Sequence, residues 1–324
     1  MTRDMKRDMK HEQIDGPVSG GPLERASESP HRTMKRPLKL VPASRDRKQS
    51  DLLSGAVGSL LILKLTVGSW RLHAAGPFHK SFYAACVFSM AFALFVWVIR
   101  SATAPAAAMG GVICMNLLLR QQDGFDAQNC AIVPLLVLFV LTFAATRFGR
   151  ARKEAMGIAE QRTGRRASQV IANLGAAGLL AAIGVDGSHI STLALAACVA
   201  ALAEATADTV SSEVGQALAA TRLGTTFLIT SGRRVPPGTD GGISVAGTLS
   251  GILAAALVVM VSPFAYTYGH ALCIFSGAVG GLVFDSVLGA TVERKGWLNN
   301  DLVNFSSTVF AAALAWAVLA FASR

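Results

Sequence analysis

The sequence predicts an all-α polytopic membrane protein with about nine transmembrane helices, in a range of about seven to nine, after a disordered basic tail. Apolar residues make up 52% of the 324 residues and charged residues only 15%. Basic residues are concentrated at the N-terminus, where residues 1–50 hold 12 of the 30 lysines and arginines. The rest of the chain contains apolar runs of about 17–25 residues, which is the length of a membrane-spanning helix.

Residues 1–50 are expected to form a disordered, basic cytoplasmic tail, followed by a single transmembrane helical domain at 51–324 that is rich in motifs over 164–305. The tail has no apolar run and no helical period, which is typical of disorder. No apolar segment follows its basic start, so it is not a signal peptide. Attraction to anionic lipid headgroups is one interpretation of its charge, and a solvated tail without specific contacts is the simpler one.

Nine apolar segments are predicted to span the membrane. Their approximate ranges are 52–70, 81–99, 105–119, 130–146, 168–184, 190–208, 241–262, 270–291 and 302–322. Lys64 interrupts the first segment, and the third is short and begins at Pro105. The five cysteines lie in or beside these segments without CxxC spacing. We therefore expect buried thiols, not a disulfide framework or a zinc site.

The basic residues predict the orientation of the chain. With nine spans, the inside segments hold 25 lysines and arginines and the outside segments hold four, while Lys64 lies within a span. Cytoplasmic loops of membrane proteins carry such an excess. We therefore expect an integral protein of the cytoplasmic (inner) membrane with a cytoplasmic N-terminus and an external C-terminus. The four polar motifs described next then all face the cytoplasm, where soluble phosphate donors are found.

The first polar motif, ATADTVSSEVG at 205–215, places acids at the end of the sixth span. A carboxylate at the centre of a membrane helix costs about 2.5 kcal/mol or more, so such acids are candidates for metal or proton chemistry. Glu204, Asp208 and Ser212 share one helical face. Asp208 and Glu213 lie about 140° apart on an ideal helix. Either the helix breaks near Ser211 or the two acids have different partners; a helix end entering water is the structural alternative.

The second motif, RRVPPGTDGG at 233–242, predicts a phosphate-binding turn. Its prolines exclude a helix and Gly238 permits a tight turn. Thr239 or Asp240 is placed to cap the seventh span, and free N–H groups at a helix start attract phosphate. Asp240 would act with a bridging Mg²⁺. The proposed phosphate-binding residues are Arg233, Arg234, Gly238, Thr239, Gly241 and Gly242. A well-formed turn with interfacial arginines is the alternative.

The third motif, VFDSVLGAT at 283–291, belongs to a stripe in which Gly277, Gly281, Asp285 and Gly289 recur every four residues. Such a stripe allows a close approach by a helix or by a lipid chain. We interpret the glycines as a groove for a lipid chain, with Asp285 as its functional acid. Helix packing, with Asp285 satisfied by a neighbour, is the alternative.

The fourth motif, NNDLVN at 299–304, begins the ninth span. Asn299 or Asn300 is suited to cap the helix, whereas capping does not explain Asn304. Asp301 and Asn304 share a face and offer an acid and an amide. Asn173 lies inside the apolar fifth span, where amides commonly join helices.

Together, the ADT–SE–G segment, the GTDGG turn, the D–S–LGAT helix and the NDxVN start resemble the DUF92 family of integral membrane proteins. The resemblance extends from about residue 50 to the C-terminus and is most specific from residue 164. That family includes the plant and cyanobacterial phytyl-phosphate kinase of the tocopherol pathway and a human transmembrane protein of unclear role. The positions that match its polar motifs are Asp208, Glu213, Asp240, Asp285, Asp301 and Asn304.

The resemblance implies a kinase that transfers phosphate from CTP or ATP to an isoprenoid monophosphate, or another lipid phosphate, in contact with membrane lipids. No nucleic acid partner is expected. Asp208, Asp285 and Glu213 are the proposed catalytic acids. The expected Mg²⁺ ligands are Asp208, Asp240, Asp285 and Asp301. The proposed polar support comprises Glu204, Ser212, Asn173, Asn300 and Asn304. A transporter or lipid flippase with an acidic intramembrane site and a scaffold with an acidic groove used only for packing are the alternatives.

Overall fold

The computed structural model describes residues 41–75, 80–119, 130–160, 163–181, 183 and 189–322. Ten α-helices and two short β-strands form within these ranges. In chain order they are α1 Ala43–Ala75, α2 Lys80–Val98, α3 Ala104–Leu118, α4 Ile132–Arg147, α5 Arg150–Ala155, α6 Ala167–Ala181, α7 His189–Ala217, β1 Phe227–Leu228, β2 Gly242–Ile243, α8 Val245–Met260, α9 Tyr268–Leu288 and α10 Asn300–Ala322.

The predicted helical class is confirmed, since nine apolar helices correspond to the nine predicted segments. Five of them, α1, α2, α7, α9 and α10, are long and apolar enough to cross a membrane, and α3, α4, α6 and α8 are shorter apolar helices. The number of helices that cross the membrane remains a prediction. The short helix α5 was not predicted, because it lies in a basic loop without an apolar run.

The predicted boundary of the tail is wrong at its C-terminal end, because residues 43–50 belong to α1. These residues are held by the segment before α10. The hydroxyl of Ser50 donates to the Oδ2 of Asp301 at 2.6 Å, and the amide of Asn299 donates to the Oδ1 of Asp46 at 2.9 Å. These contacts extend α1 beyond its apolar part. Residues 1–40 of the tail lie outside the described residues.

Helix α7 forms the centre of the bundle and packs against α4, α6, α8, α9 and α10. In its most apolar 18-residue window, 89% of the residues are buried, against 17% in the corresponding window of α2. Small residues permit this packing. A Cβ on Gly247 of α8 would lie 2.5 Å from the carbonyl oxygen of Ser211, and one on Gly251 would lie 2.7 Å from that of Ala207. The acids of α7 therefore lie inside the bundle.

The loop between α7 and α8 is folded back on itself. Strands β1 and β2 pair antiparallel, so that Phe227 lies opposite Ile243. The predicted cap of α8 by Thr239 or Asp240 is wrong. Ser244 caps the helix, accepting a hydrogen bond from the backbone N–H of Gly247 at 3.1 Å. The chain reaches this position as strand β2, which delays the start of the helix to Val245.

Candidate functional site

A polar cavity of about 460 Å³, here called the acid cavity, lies where the end of α7, the loop before α8, the end of α9 and the starts of α6 and α10 meet. It brings together residues from all four predicted motifs. The predicted residues that line it are Asn173, Asp208, Ser212, Glu213, Gly238, Thr239, Asp240, Gly241, Gly242, Asp285, Gly289, Asn300 and Asn304. Motifs that are distant in the chain thus contribute to one surface.

Asp208 of α7 and Asp285 of α9 lie close together in this cavity, near enough for their charges to repel each other. The contact one turn earlier explains why. Gly281 of α9 packs directly on Glu204 of α7, since a Cβ on this glycine would lie 2.6 Å from the Cγ of Glu204. Asp208 lies four residues after Glu204 on α7, and Asp285 lies four residues after Gly281 on α9, which is about one helical turn in each case. The close glycine contact therefore brings the two acids together.

Some acidic oxygens at this position have no protein partner. Glu204 is only 1% exposed. Both of its carboxylate oxygens and the Oδ1 of Asp285 are buried without a hydrogen bond of normal geometry to a described residue, although the hydroxyl of Ser307 lies near both carboxylates. Within the same part of the chain, no salt bridge forms to Asp208 or Asp285. Buried carboxylates without a partner are costly, so this arrangement favours binding of a cation.

The protein alone does not supply a complete metal site in the described ranges, where no group of three or more His, Cys, Asp or Glu residues is arranged to hold a metal ion. Two facing carboxylates still fit Mg²⁺. This ion is commonly bound by one or two carboxylates, with phosphate oxygens of the substrate and water completing its octahedral shell. Asp208 and Asp285 are the pair that meets this description.

Glu213 has a different environment, although it also borders the cavity. It forms a buried salt bridge with the ammonium of Lys153 on α5. The same ammonium donates to the carbonyl of Thr146 at 2.9 Å and that of Ala145 at 3.2 Å. Helix α7 is unbroken from His189 to Ala217. Of the two predicted possibilities, the structure therefore shows different partners for the two acids, not a helix break.

The GTDGG turn closes one side of the cavity by direct backbone contact with the end of α9. Gly241 has a φ of +70°. A Cβ on it would lie 2.2 Å from the backbone nitrogen of Ala290, and a Cβ on Gly289 would lie 2.7 Å from the nitrogen of Gly241. Only glycine fits both the angle and the contact at Gly241. The turn is therefore held against the helix that carries Asp285.

The residues of the acid cavity also fall in a sequence region shared with known proteins. A family model described as integral membrane protein DUF92 matches residues 87–312. The chain belongs to the DUF92 family. The match includes every segment that lines the acid cavity, and it confirms the predicted family and the integral membrane class.

Three similar proteins each align with slightly more than half of this DUF92 chain. It is 36% identical to Protein VTE6, chloroplastic, of Arabidopsis thaliana, over 51% of this chain and 51% of that protein. It is 36% identical to an uncharacterized membrane protein of Synechocystis, over 56% of this chain and 70% of that protein. For an uncharacterized membrane protein of Methanocaldococcus jannaschii, the identity is 37% over 55% and 71%. The chain thus spans about half the length of VTE6. No solved structure matches it.

The structure of the DUF92 chain places the predicted arginines away from the acid cavity and brings another arginine to it. Arg233 and Arg234 are exposed on the loop and do not line the cavity. Arg165, which precedes α6, lines it and lies near the charge of Asp208. Its backbone is fixed, since its N–H donates to the carbonyl of Ser101 and its carbonyl accepts from Thr103, each at 3.0 Å.

Arg165 was not predicted as a site residue, because an arginine beside a membrane span usually indicates an interfacial anchor. The preceding glycine is a signal that was available. Gly164 has a φ of +82°, and a Cβ on it would lie 2.6 Å from the carbonyl carbon of Ser101. Arg166, Gln169, Glu160 and Glu293 also line the cavity and were not predicted.

Two of the predicted supporting amides, Asn173 and Asn304, join α6 and α10 at the wall of the cavity. The side-chain amide of Asn304 on α10 donates to the Oδ1 of Asn173 on α6 at 3.0 Å. This contact accounts for Asn304, which capping did not explain. Asp301 lies outside the cavity lining and is bonded to Ser50 of α1. This position does not fit the expected role of Asp301 as a metal ligand.

The predicted lipid groove is filled by protein. A Cβ on Gly277 would lie 2.7 Å from the carbonyl oxygen of Ala311, and a Cβ on Gly281 would lie 2.7 Å from the Cβ of Ala311 on α10. Gly289 contacts the turn at Gly241. The expectation of an open groove along these glycines is therefore wrong, because α10 and the turn pack directly on them.

Proposed function

We propose that this DUF92 protein is a membrane-embedded kinase that transfers phosphate from a nucleoside triphosphate, CTP or ATP, to an isoprenoid monophosphate at the cytoplasmic face. The observation that carries the proposal is the facing pair Asp208 and Asp285, with partnerless carboxylate oxygens beside them. The family resemblance supports the same activity, because it extends to the phytyl-phosphate kinase.

Different residues of the acid cavity would have different roles in phosphoryl transfer. Asp208 and Asp285 would hold Mg²⁺, which supplies charge neutralisation for the donor phosphates when bound. The GTDGG turn lines the same cavity, and its glycines would allow the phosphates a close approach to the backbone. Arg165 takes the place proposed for Arg233 and Arg234 and would stabilise negative charge in the transition state. Asp240 lines the same cavity and would act with the bridging Mg²⁺.

The chemistry needs no proton acceptor on the protein. A phosphate monoester has a second pKa of about 6 and is mainly a dianion at neutral pH. One of its oxygens attacks the γ-phosphorus of the donor, while the bond from that phosphorus to the β-phosphate oxygen breaks. The nucleoside diphosphate leaves with the electron pair, and the product is an isoprenoid diphosphate. The two aspartates thus act through the cation, and the protein has to align the reactants and stabilise charge.

The test uses purified full-length protein in detergent with Mg²⁺, γ-labelled CTP or ATP, and phytyl or geranylgeranyl monophosphate. We expect the label in an isoprenoid diphosphate with the wild type and with Asp51→Asn, a control on the exposed part of α1. The Asp285→Asn protein should lose the transfer. Absence of transfer by folded wild-type protein with every donor and acceptor would contradict the kinase proposal and favour a transporter or flippase.

A further inference from the structure

A second cavity of about 560 Å³, here called the arginine cavity, lies beside the acid cavity where α2, α4 and α5 end. Its charged lining consists of Arg100, Arg147, Arg150, Arg165, Glu154 and Glu160. Four guanidinium groups against two carboxylates leave a net positive charge. Arg150 pairs with Glu154 at 3.0 Å. Such a concentration of guanidinium groups is suited to phosphate, which arginine binds with paired hydrogen bonds.

Arg165 connects this cavity with two others. It borders the arginine cavity and the acid cavity. It also borders a smaller apolar pocket of about 70 Å³, whose lining includes Phe92, Val96, Leu138 and Phe139. One guanidinium therefore lies where a cationic surface, an acidic surface and an apolar surface meet. A molecule with a phosphate and a hydrocarbon chain matches this combination.

The surroundings of the arginine cavity indicate that its ligand comes from the membrane. The helices beside it expose large apolar side chains, with Phe95, Trp97 and Val98 of α2 at 53%, 51% and 65% exposure and Val140 of α4 at 60%. In an integral membrane protein such faces contact lipid. Arg100 and Arg147 lie at the ends of these helices, and the ends of membrane-spanning helices are where lipid headgroups are met.

Arg100 provides an independent observation on the same cavity. It is the one non-glycine residue with a positive φ in the described part of the chain, at 56°. It ends α2 in the position where glycine is preferred. Its side chain is exposed and makes no hydrogen bond or ion pair with another described residue. An arginine therefore occupies a backbone conformation that is unfavourable for it, while its side chain makes no hydrogen bond or ion pair with a described residue.

We propose that the arginine cavity binds the phosphate of a lipid phosphomonoester, with the first carbons of its chain in the apolar pocket beside Arg165. The proposal rests on the kinase function proposed above, in which the acid cavity holds the donor, and it assigns the acceptor to a separate site. The pocket is small, so it admits only the part of the chain nearest the phosphate. Arg165 would then lie between the two phosphates.

Binding without turnover tests this assignment. Labelled farnesyl monophosphate is bound to the purified full-length protein in detergent with EDTA and without nucleotide, and bound label is measured by scintillation proximity. We expect saturable binding that unlabelled farnesyl monophosphate displaces. Farnesol and inorganic phosphate should each be at least about tenfold weaker competitors, since each lacks half of the ligand. Inorganic phosphate as effective as the lipid would overturn the lipid assignment.

Three variants locate the site. Arg100→Gly and Arg147→Gln should each raise the Kd for farnesyl monophosphate about tenfold or more, while Arg222→Gln, on an exposed loop outside both cavities, should not change it. Arg100→Gly should melt at the same or a higher temperature, because glycine fits the positive φ. Wild-type affinity in both cavity variants would overturn the proposal. Asp285→Asn should keep the binding, so a failed kinase assay and a failed acceptor site give different results.

Discussion

Two buried acids bordering the same cavity, Glu213 and Asp285, differ in what surrounds them. Glu213 faces the ammonium of Lys153, whose remaining donors reach the carbonyls of Ala145 and Thr146. Asp285 instead faces Asp208, another acid, and its Oδ1 is buried without a partner among the described residues. The first arrangement is electrostatically complete within the protein, and the second is not.

We interpret this difference as the difference between a structural acid, Glu213, and an acid proposed to bind a ligand, Asp285. Lys153 belongs to α5, so its salt bridge with Glu213 fixes the connection after α4 to the central helix α7. Asp208 and Asp285 lie on helices that already pack through Gly281, so the packing of these helices does not require two adjacent acids. A bound cation would compensate the charge of two adjacent carboxylates. Glu213 was predicted as a catalytic acid, and its salt bridge favours a structural role.

The largest effect is expected from the acid pair. Asp208→Asn should lower kcat/KM for phosphate transfer about 10²- to 10³-fold, because a charged contact to the reacting phosphates is lost. Its melting temperature should be unchanged or higher, since one of two repelling charges is removed. The measurements are initial rates and thermal unfolding in detergent, with Asp51→Asn as control. A loss of activity smaller than tenfold would show that the pair is not central.

The second largest effect is expected on protein stability, from loss of the salt bridge between Lys153 and Glu213. Lys153→Met should destabilise the protein by about 3–5 kcal/mol, because Glu213 is left as an uncompensated buried charge. The double variant Lys153→Met/Glu213→Leu should recover most of this stability. Unfolding in a graded denaturing detergent measures both. If the single variant is as stable as the wild type, the structural role assigned to Glu213 is incorrect.

A smaller effect separates the arginine found in the structure from those predicted from the sequence. Arg165→Gln should reduce kcat/KM about tenfold to a hundredfold through loss of charge stabilisation. Arg233→Gln should change it by less than about twofold, as exposed charges contribute little. Steady-state rates over both substrate concentrations test this. A larger loss of kcat/KM in Arg233→Gln than in Arg165→Gln would indicate that the loop arginines bind the phosphates.

The smallest effect concerns the amide contact between α6 and α10. A double-mutant cycle with Asn173→Leu and Asn304→Leu should give a coupling of about 0.6 kcal/mol, the mean for interhelical hydrogen bonds in membranes. Stability in detergent is measured for the wild type, both single variants and the double variant. Additive single effects would mean that the 3.0 Å contact contributes no coupling.

The sequence was sufficient to predict the apolar helices and most of the residues that line the acid cavity. Apolar runs are local in sequence, so the membrane helices followed directly from them. Asp208 and Asp285 stood out because acids within apolar helices are costly. The four motifs lie at the end of α7, in the loop before α8, at the end of α9 and at the start of α10. Because consecutive membrane helices run in opposite directions, the sequence predicted that all four lie at the same side of the bundle.

Residues whose roles depend on distant partners were not predicted. Lys153 pairs with Glu213 across 60 residues, and Asp301 bonds Ser50 across 251. No local pattern reveals either contact. The loop arginines lie outside the cavity lining, because the pairing of residues 227–228 with Arg234 and with strand β2 orients the loop. The glycine stripe predicted a close approach correctly but not which element makes it.

The most direct test of the difference between Asp285 and Glu213 is the divalent-cation dependence of nucleotide binding. The affinity of a labelled nucleoside triphosphate is measured with Mn²⁺ and with EDTA for the wild type, Asp285→Asn and Lys153→Met/Glu213→Leu. We predict metal-dependent binding in the wild type and the double variant, and at least a tenfold loss of that dependence in Asp285→Asn. Wild-type metal dependence in Asp285→Asn, or its loss only in the double variant, would contradict the account.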